Sequence, residues 1–142
     1  MSVDRSRIES LVRELIIAIG EDPNRAGLEQ TPARVADAYA EFFSGVGEDP
    51  GAPRDRTVSI ADADGHDVVV SGAVMLRDVQ FRSVCEHHLL PFVGTAHIAY
   101  LPGAQVVGLG ALPRVVDVLA SRPQVQERLG EQIADVIASR LT

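Results

Sequence analysis

Residues 74–101 read VMLRDVQFRSVCEHHLLPFVGTAHIAYL, and the fold is decided there. From Val68 to Val84 the chain is rich in valine, with Met75 and Phe81 among its apolar residues, a composition that favours extended structure interrupted near Ser71-Gly72. Cys85-Glu86-His87-His88 stands where that strand ends. Leu89-Leu90-Pro91 turns the chain, and Gly94 to Leu101 then alternates, with Ala96, Ile98 and Tyr100 on one face and Thr95, His97 and Ala99 on the other. A two-stranded antiparallel pair is the simplest arrangement that satisfies both halves.

Helices flank this pair. Upstream, Ile8, Leu11, Val12, Leu15, Ile16 and Ile19 recur at three-and-four spacing, which predicts a helix buried on one face and stopped by Gly20 and Pro23. Thr31-Pro32 reads as an N-cap followed by proline in the first turn of a second helix, which carries Val35, Ala38, Tyr39, Phe42 and Phe43 and ends at Ser44-Gly45. Residues 45–66 are rich in Gly, Asp and Pro and predict a loop with one short strand near Thr57 to Ile60. Beyond Pro102-Gly103, Leu109, Leu112, Val115, Val116 and Leu119 mark a third helix, broken at Arg122-Pro123. Val125, Leu129, Ile133, Val136, Ile137 and Leu141 mark a fourth, in which Gly130 costs about 1 kcal/mol relative to alanine. The order is two helices, two strands, two helices, an α+β arrangement without internal repeats. Residues 1–66 are expected to form an N-terminal helical region and loop, and residues 67–142 the unit built on the strands.

Composition narrows the function. With 142 residues, 46% apolar and 23% charged, the chain can bury a core unaided and is not of the disordered class. No apolar run approaches the roughly 20 residues that span a bilayer, and Met1-Ser2-Val3-Asp4-Arg5 has no apolar core behind a basic start, so a cytoplasmic protein without a membrane partner is expected. The single cysteine, Cys85, excludes an internal disulfide and leaves a thiol free for chemistry. The net charge is -7 and all 13 basic residues are arginine; an acidic chain without a basic cluster lacks the footprint of a nucleic-acid binder.

Cys85 and His88 have the C-x2-H spacing that lets a thiolate and an imidazole reach one zinc ion from a tight turn. Taken alone, the pattern also suits a buried cysteine beside surface histidines. His87 adds an imidazole, a side chain suited to proton transfer, and Glu86 adds a carboxylate. Polar side chains gathered at a strand end each need partners if buried, which argues against simple packing.

Val74-Met75-Leu76-Arg77-Asp78, then Ser83-Val84-Cys85-Glu86-His87-His88, Ala99-Tyr100-Leu101-Pro102, Val107-Gly108-Leu109 and Arg122-Pro123-Gln124-Val125-Gln126-Glu127-Arg128-Leu129 follow one another in the chain. Together these stretches resemble the GTP cyclohydrolase I family. Thr31-Pro32-Ala33-Arg34-Val35-Ala36 with Tyr39 resembles the family's second-helix motif. The resemblance runs from about residue 8 to the end, and motifs in register are more specific than the Cys-Glu-His-His stretch alone. It implies the tunnelling fold, in which four antiparallel strands carry two helices between the second and third, assembled through sheet pairing into oligomeric rings.

By the same resemblance, Cys85 and His88 are zinc ligands, and Glu86, His87 and His88 make up the catalytic set. The implied reaction opens the imidazole ring of GTP, or of a related purine nucleotide, with release of formate and formation of 7,8-dihydroneopterin triphosphate. Zinc lowers the pKa of a bound water toward about 7, which makes attack on the purine coherent. Gln126 and Glu127 are implied to hold the guanine edge and Arg114 the triphosphate, with Leu109 and Gly110 beside them; without the resemblance all of these read as solvated helix surface. His66 and His97 receive no role.

The pattern also breaks. A catalytic zinc site normally has three protein ligands, and only two stand at the matching place. The family's third is a second cysteine in a His-x-Cys stretch on the third strand, expected beyond Thr142, so residues 67–142 read as a truncated catalytic domain. Asp37 and Ala111 occupy positions where the family usually places triphosphate-binding lysines, and Gly110 one where serine is common. Two strands with helices on one face leave an unpaired edge, which predicts a homo-oligomer or a companion chain that completes the sheet. The alternatives are a catalytically incomplete relative acting as a structural or regulatory partner, and a tunnelling-fold enzyme for a less phosphorylated purine or pterin.

Overall fold

The structure, a computed structural model, describes residues 3–52, 57, 58, 64, 66, 68, 72–102 and 105–141. Among them the chain order is α1 (Arg5–Ala18), α2 (Thr31–Phe42), β1 (Thr57–Val58), β2 (Val74–Cys85), β3 (Pro91–Tyr100), β4 (Val106–Val107), α3 (Ala111–Ala120), β5 (Pro123–Gln124) and α4 (Gln126–Val136), which continues into a π-helical turn, Ile137–Leu141.

β2 and β3 form the expected antiparallel hairpin, from Val74 opposite Tyr100 to Val84 opposite Pro91. The register shifts between Leu76 and Val79, where Asp78 takes a left-handed φ of 60°. Its N–H donates to His97 Nδ1 at 3.2 Å, which ties His97 to this bulge. The alternation of β3 comes out as read: Ile98 and Tyr100 are buried, while Thr95, His97 and Ala99 are exposed.

One face of the hairpin is covered by α3 and α4. Leu112, Val115, Val116 and Leu119 of α3 pack with Ile98 and Tyr100 of β3 and with Leu129, Ile133 and Ile137 from the α4 side. α3 packs against β2, with Ser83 Oγ of β2 donating to Ala120 O at the end of α3 at 2.7 Å; ahead of the helix, Val107 N–H donates to Tyr100 Oη of β3 at 2.9 Å. The fold is α+β.

The sheet departs from the simplest expectation in its short strands. β5 lies parallel to the end of β2, pairing Cys85 with Gln124, so the three-stranded sheet has the order β3-β2-β5. Arg122-Pro123 thus breaks a helix but also starts a strand; proline is tolerated at a sheet edge because its missing N–H needs no partner there. β1 pairs with β4 in a separate two-stranded sheet, which supports the short strand expected near Thr57, although Ile60 and Ser71 lie outside the described residues.

Helix boundaries differ too. Leu109 precedes α3 and is 67% exposed, while Ala111 opens the helix at 0% exposure. Thr31 lies in the first turn of α2 and is not its cap; its hydroxyl donates to Gly27 O at 3.4 Å. α1 ends as expected at Gly20, whose φ of 90° lets Gly20 and Glu21 N–H return to Ile17 and Ile16 carbonyls. Its apolar stripe is only partly covered: Ile16 is buried, but Leu11 and Leu15 are each 59% exposed.

α2 is fastened to α3 at Gly45. Gly45 N–H donates to Ser121 O at 3.0 Å, and Arg122 donates to Gly45 O at 2.9 Å and to Glu48 O at 2.7 Å. A Cβ at Gly45 would lie 2.0 Å from Val118 O, so only glycine permits this approach. Gly45→Ala is expected to push the α2 end off α3 and destabilise the fold by about 1–3 kcal/mol, read as a lower denaturation midpoint.

Candidate metal centre

The end of β2 is closed by a tight turn. Cys85 N–H donates to Leu90 O and Leu89 N–H to Cys85 O, both at 2.8 Å, and Leu89 takes a φ of 54° to make the reversal. Glu86 N–H leaves the hairpin and donates to Gln124 O of β5 at 3.0 Å. The turn therefore has its backbone held on two sides.

This turn brings Cys85 Sγ to 3.7 Å from His88 Nδ1. A tetrahedral zinc ion at about 2.3 Å from sulfur and about 2.0–2.1 Å from nitrogen holds the two donors about 3.5 Å apart, so thiol and imidazole fit two corners of such a site. Among the described residues no group of three or more Cys, His, Asp and Glu side chains gathers around one point. His87 points elsewhere: it is exposed, its ring centroid is 6.2 Å from that of His88, and its Nε2 is 3.6 Å from Glu86 Oε1.

Glu86 is paired. Arg128 of α4 donates to its carboxylate, and this hydrogen bond, aided by the charges of Arg128 and His87, holds the Glu86 carboxyl below its ordinary value against the opposing effect of desolvation. The same bond raises Arg128. Glu86 is therefore ionised at neutral pH, and the pair weakens only as pH falls through that lowered value.

These motifs stand in a chain whose similarity to known proteins is extensive. The family model described as GTP cyclohydrolase I matches residues 8–142. The chain belongs to the GTP cyclohydrolase I family. It is 59% identical over 132 residues to GTP cyclohydrolase 1 of Leifsonia xyli, covering 93% of this chain and 66% of that protein. To the GTP cyclohydrolase 1 of Rhodopirellula baltica it is 54% identical over 140 residues, covering 99% and 58%, and to that of Corynebacterium glutamicum strain R 50% over 140 residues, covering 97% and 67%. The chain thus spans about 58–67% of the length of these relatives.

Within this GTP cyclohydrolase I family member, the residues singled out in the sequence fall into two groups. Cys85, Glu86, His87 and His88 share the turn, and Gln126 and Glu127 open α4 two residues beyond the β5 position that pairs with Cys85. Leu109, Gly110 and Arg114 sit at the other end of α3, which is about 15 Å long at 1.5 Å per residue. The structure does not gather the two groups within one chain. Asp37 pairs with Arg5 at 3.3 Å, and the side chain of Ala111 is enclosed in the core. Sequence reasoning missed Gln124 and Arg128; Gln124 lies in β5 ahead of α4, so the only spacing signal was the i,i+4 pair Arg128 and Gln132 on α4.

No helix among the described residues is long and apolar enough to cross a membrane. The outer edge of β3 pairs with no strand among them, and a groove of about 870 Å³ lies between β3 and α4, lined by Ile98, Tyr100, Leu129, Ile133 and Ile137 among others.

Proposed function

We propose that this chain works in a zinc-dependent hydrolase of the cytoplasm that opens the imidazole ring of GTP, releasing formate and yielding 7,8-dihydroneopterin triphosphate for tetrahydrofolate synthesis. The observation that carries the reading is the 3.7 Å approach of Cys85 Sγ to His88 Nδ1 at the close of β2, in a chain of this family. Thiolate and imidazole are donors that suit zinc, and zinc held by them supplies the Lewis acidity that activates water near neutral pH.

The chain's own residues then divide the work. Exposed His87 takes up and returns protons as the ring opens. Glu86 faces His87 as a fixed anion, and His88 holds its place in the turn through Cys85. Gln126 and Glu127 meet the guanine edge, where a carboxylate accepts from adjacent N–H donors, and Glu127 gains from its place in the first turn of α4. Arg114 meets the triphosphate, flanked by Leu109 and Gly110. Their distance along α3 from the Cys85 turn supports a site completed between copies or with a companion chain, and the outer edge of β3, unpaired among the described residues, offers a place for a further strand.

Protein loaded with zinc and incubated with GTP, alone and with any companion chain, is expected to release formate and form a pterin product. Absence of both would overturn the reading. A second reading, a relative acting on a less phosphorylated purine or pterin or serving as a non-catalytic partner, is favoured by Asp37 and by the enclosed Ala111, neither of which can attract a triphosphate. Thermal stabilisation by guanosine or GMP but not by GTP would favour the altered substrate.

A further inference from the structure

Glu86 is gripped twice by the same short stretch of chain. Its N–H donates to Gln124 O at 3.0 Å, and its carboxylate accepts from Arg128. Arg128 in turn donates through Nε to Gln124 Oε1 at 3.3 Å. Gln124 is itself immobilised: its side chain is 2% exposed, and its Nε2 donates to Leu119 O and to Gln132 Oε1, each at 2.9 Å. Turning that amide over breaks all three bonds at once, so it presents its oxygen to Arg128 in one orientation only.

We infer that Arg128 and Gln124 are positioning residues, which fasten the Cys85–His88 turn through Glu86 to the first turn of α4. This rests on the zinc-site reading of the turn. Gln126, Glu127 and Arg128 are consecutive in α4, so the guanidinium that holds Glu86 also sets the separation between the metal donors and the residues assigned to the guanine edge. A planar, forked donor suits this task better than a flexible ammonium, because it engages the Glu86 carboxylate and the Gln124 amide from one rigid group. The two ends of the site then move as one body.

The proposal separates from a general structural role by its locality and by graded rescue. In the metal-free protein, Arg128→Met is expected to speed amide hydrogen exchange at Glu86 and Leu89 at least tenfold, while Val115 and Val116 in the core keep their protection. On titration with Co²⁺ alone, the same variant is expected to bind about 10- to 100-fold more weakly with an unchanged thiolate-to-cobalt absorption band. Arg128→Lys recovers part of both effects. Should Arg128→Met fail to fold, Glu86→Ala removes the acceptor and cuts the same link from the turn side without altering α4.

Unchanged exchange at Glu86 and Leu89, or unchanged cobalt affinity with the band present, overturns the proposal. So does loss of protection spread equally to Val115 and Val116. A wild-type protein that gives no cobalt band at all refutes the zinc reading instead, and the exchange measurement then decides the anchoring by itself.

Discussion

Cys85→Ala is expected to empty the metal centre and lower the rate of GTP ring opening by at least about 10³-fold. The thiol is the only sulfur donor on the turn, and on the proposed reading the Lewis acid it would help to hold would contribute several kcal/mol to charge stabilisation, each 1.36 kcal/mol being tenfold in rate. The fold is expected to survive, because the hydrogen bonds that reverse the chain use the Cys85 backbone, and the one contact its half-buried thiol makes in the turn is with His88 Nδ1. Elemental analysis after dialysis, with circular dichroism as the control, checks this: zinc retained at one per chain in the variant would exclude Cys85 as a ligand.

The second large effect belongs to His87. His87→Gln is expected to lower kcat by about 10²- to 10⁴-fold, the range for losing a positioned proton carrier, with zinc content unchanged. The contrast with Cys85 follows from geometry: His88 lies against the thiol, while the exposed His87 ring turns toward Glu86 and solvent. Steady-state kinetics on zinc-replete variant test this. Loss of metal in step with loss of rate would make His87 a ligand, whereas an unchanged kcat would remove it from the chemistry.

Much of the fold was legible because it is local. The β2–β3 hairpin is encoded by alternation on both sides of a proline-containing turn, and the donor pair by a three-residue spacing that any tight turn brings together. The α3 core follows from its periodic Leu and Val positions. What escaped depends on partners far away in sequence. Gln124 has no role in the sequence until β5 is seen to pair with Cys85, and Glu86 has no partner there until Arg128, 42 positions on, donates to it. A two-residue strand has no period to detect, so β4 and β5 left no pattern. α1 shows the converse error: its stripe marks an apolar face correctly, yet Leu11 and Leu15 stay open, since periodicity says which residues want cover and not whether one chain supplies it. The family resemblance supplied roles for Arg114 and Glu127, but only coordinates reveal that they lie toward opposite ends of the helical layer.

X-ray absorption at the zinc edge of the metal-loaded protein tests the central claim most directly. The account predicts one sulfur scatterer from this chain at about 2.3 Å and nitrogen at about 2.0–2.1 Å, with no bound-zinc spectrum left in dialysed Cys85→Ala. A zinc environment of oxygen and nitrogen alone in the unmodified protein, indifferent to Cys85, would contradict it.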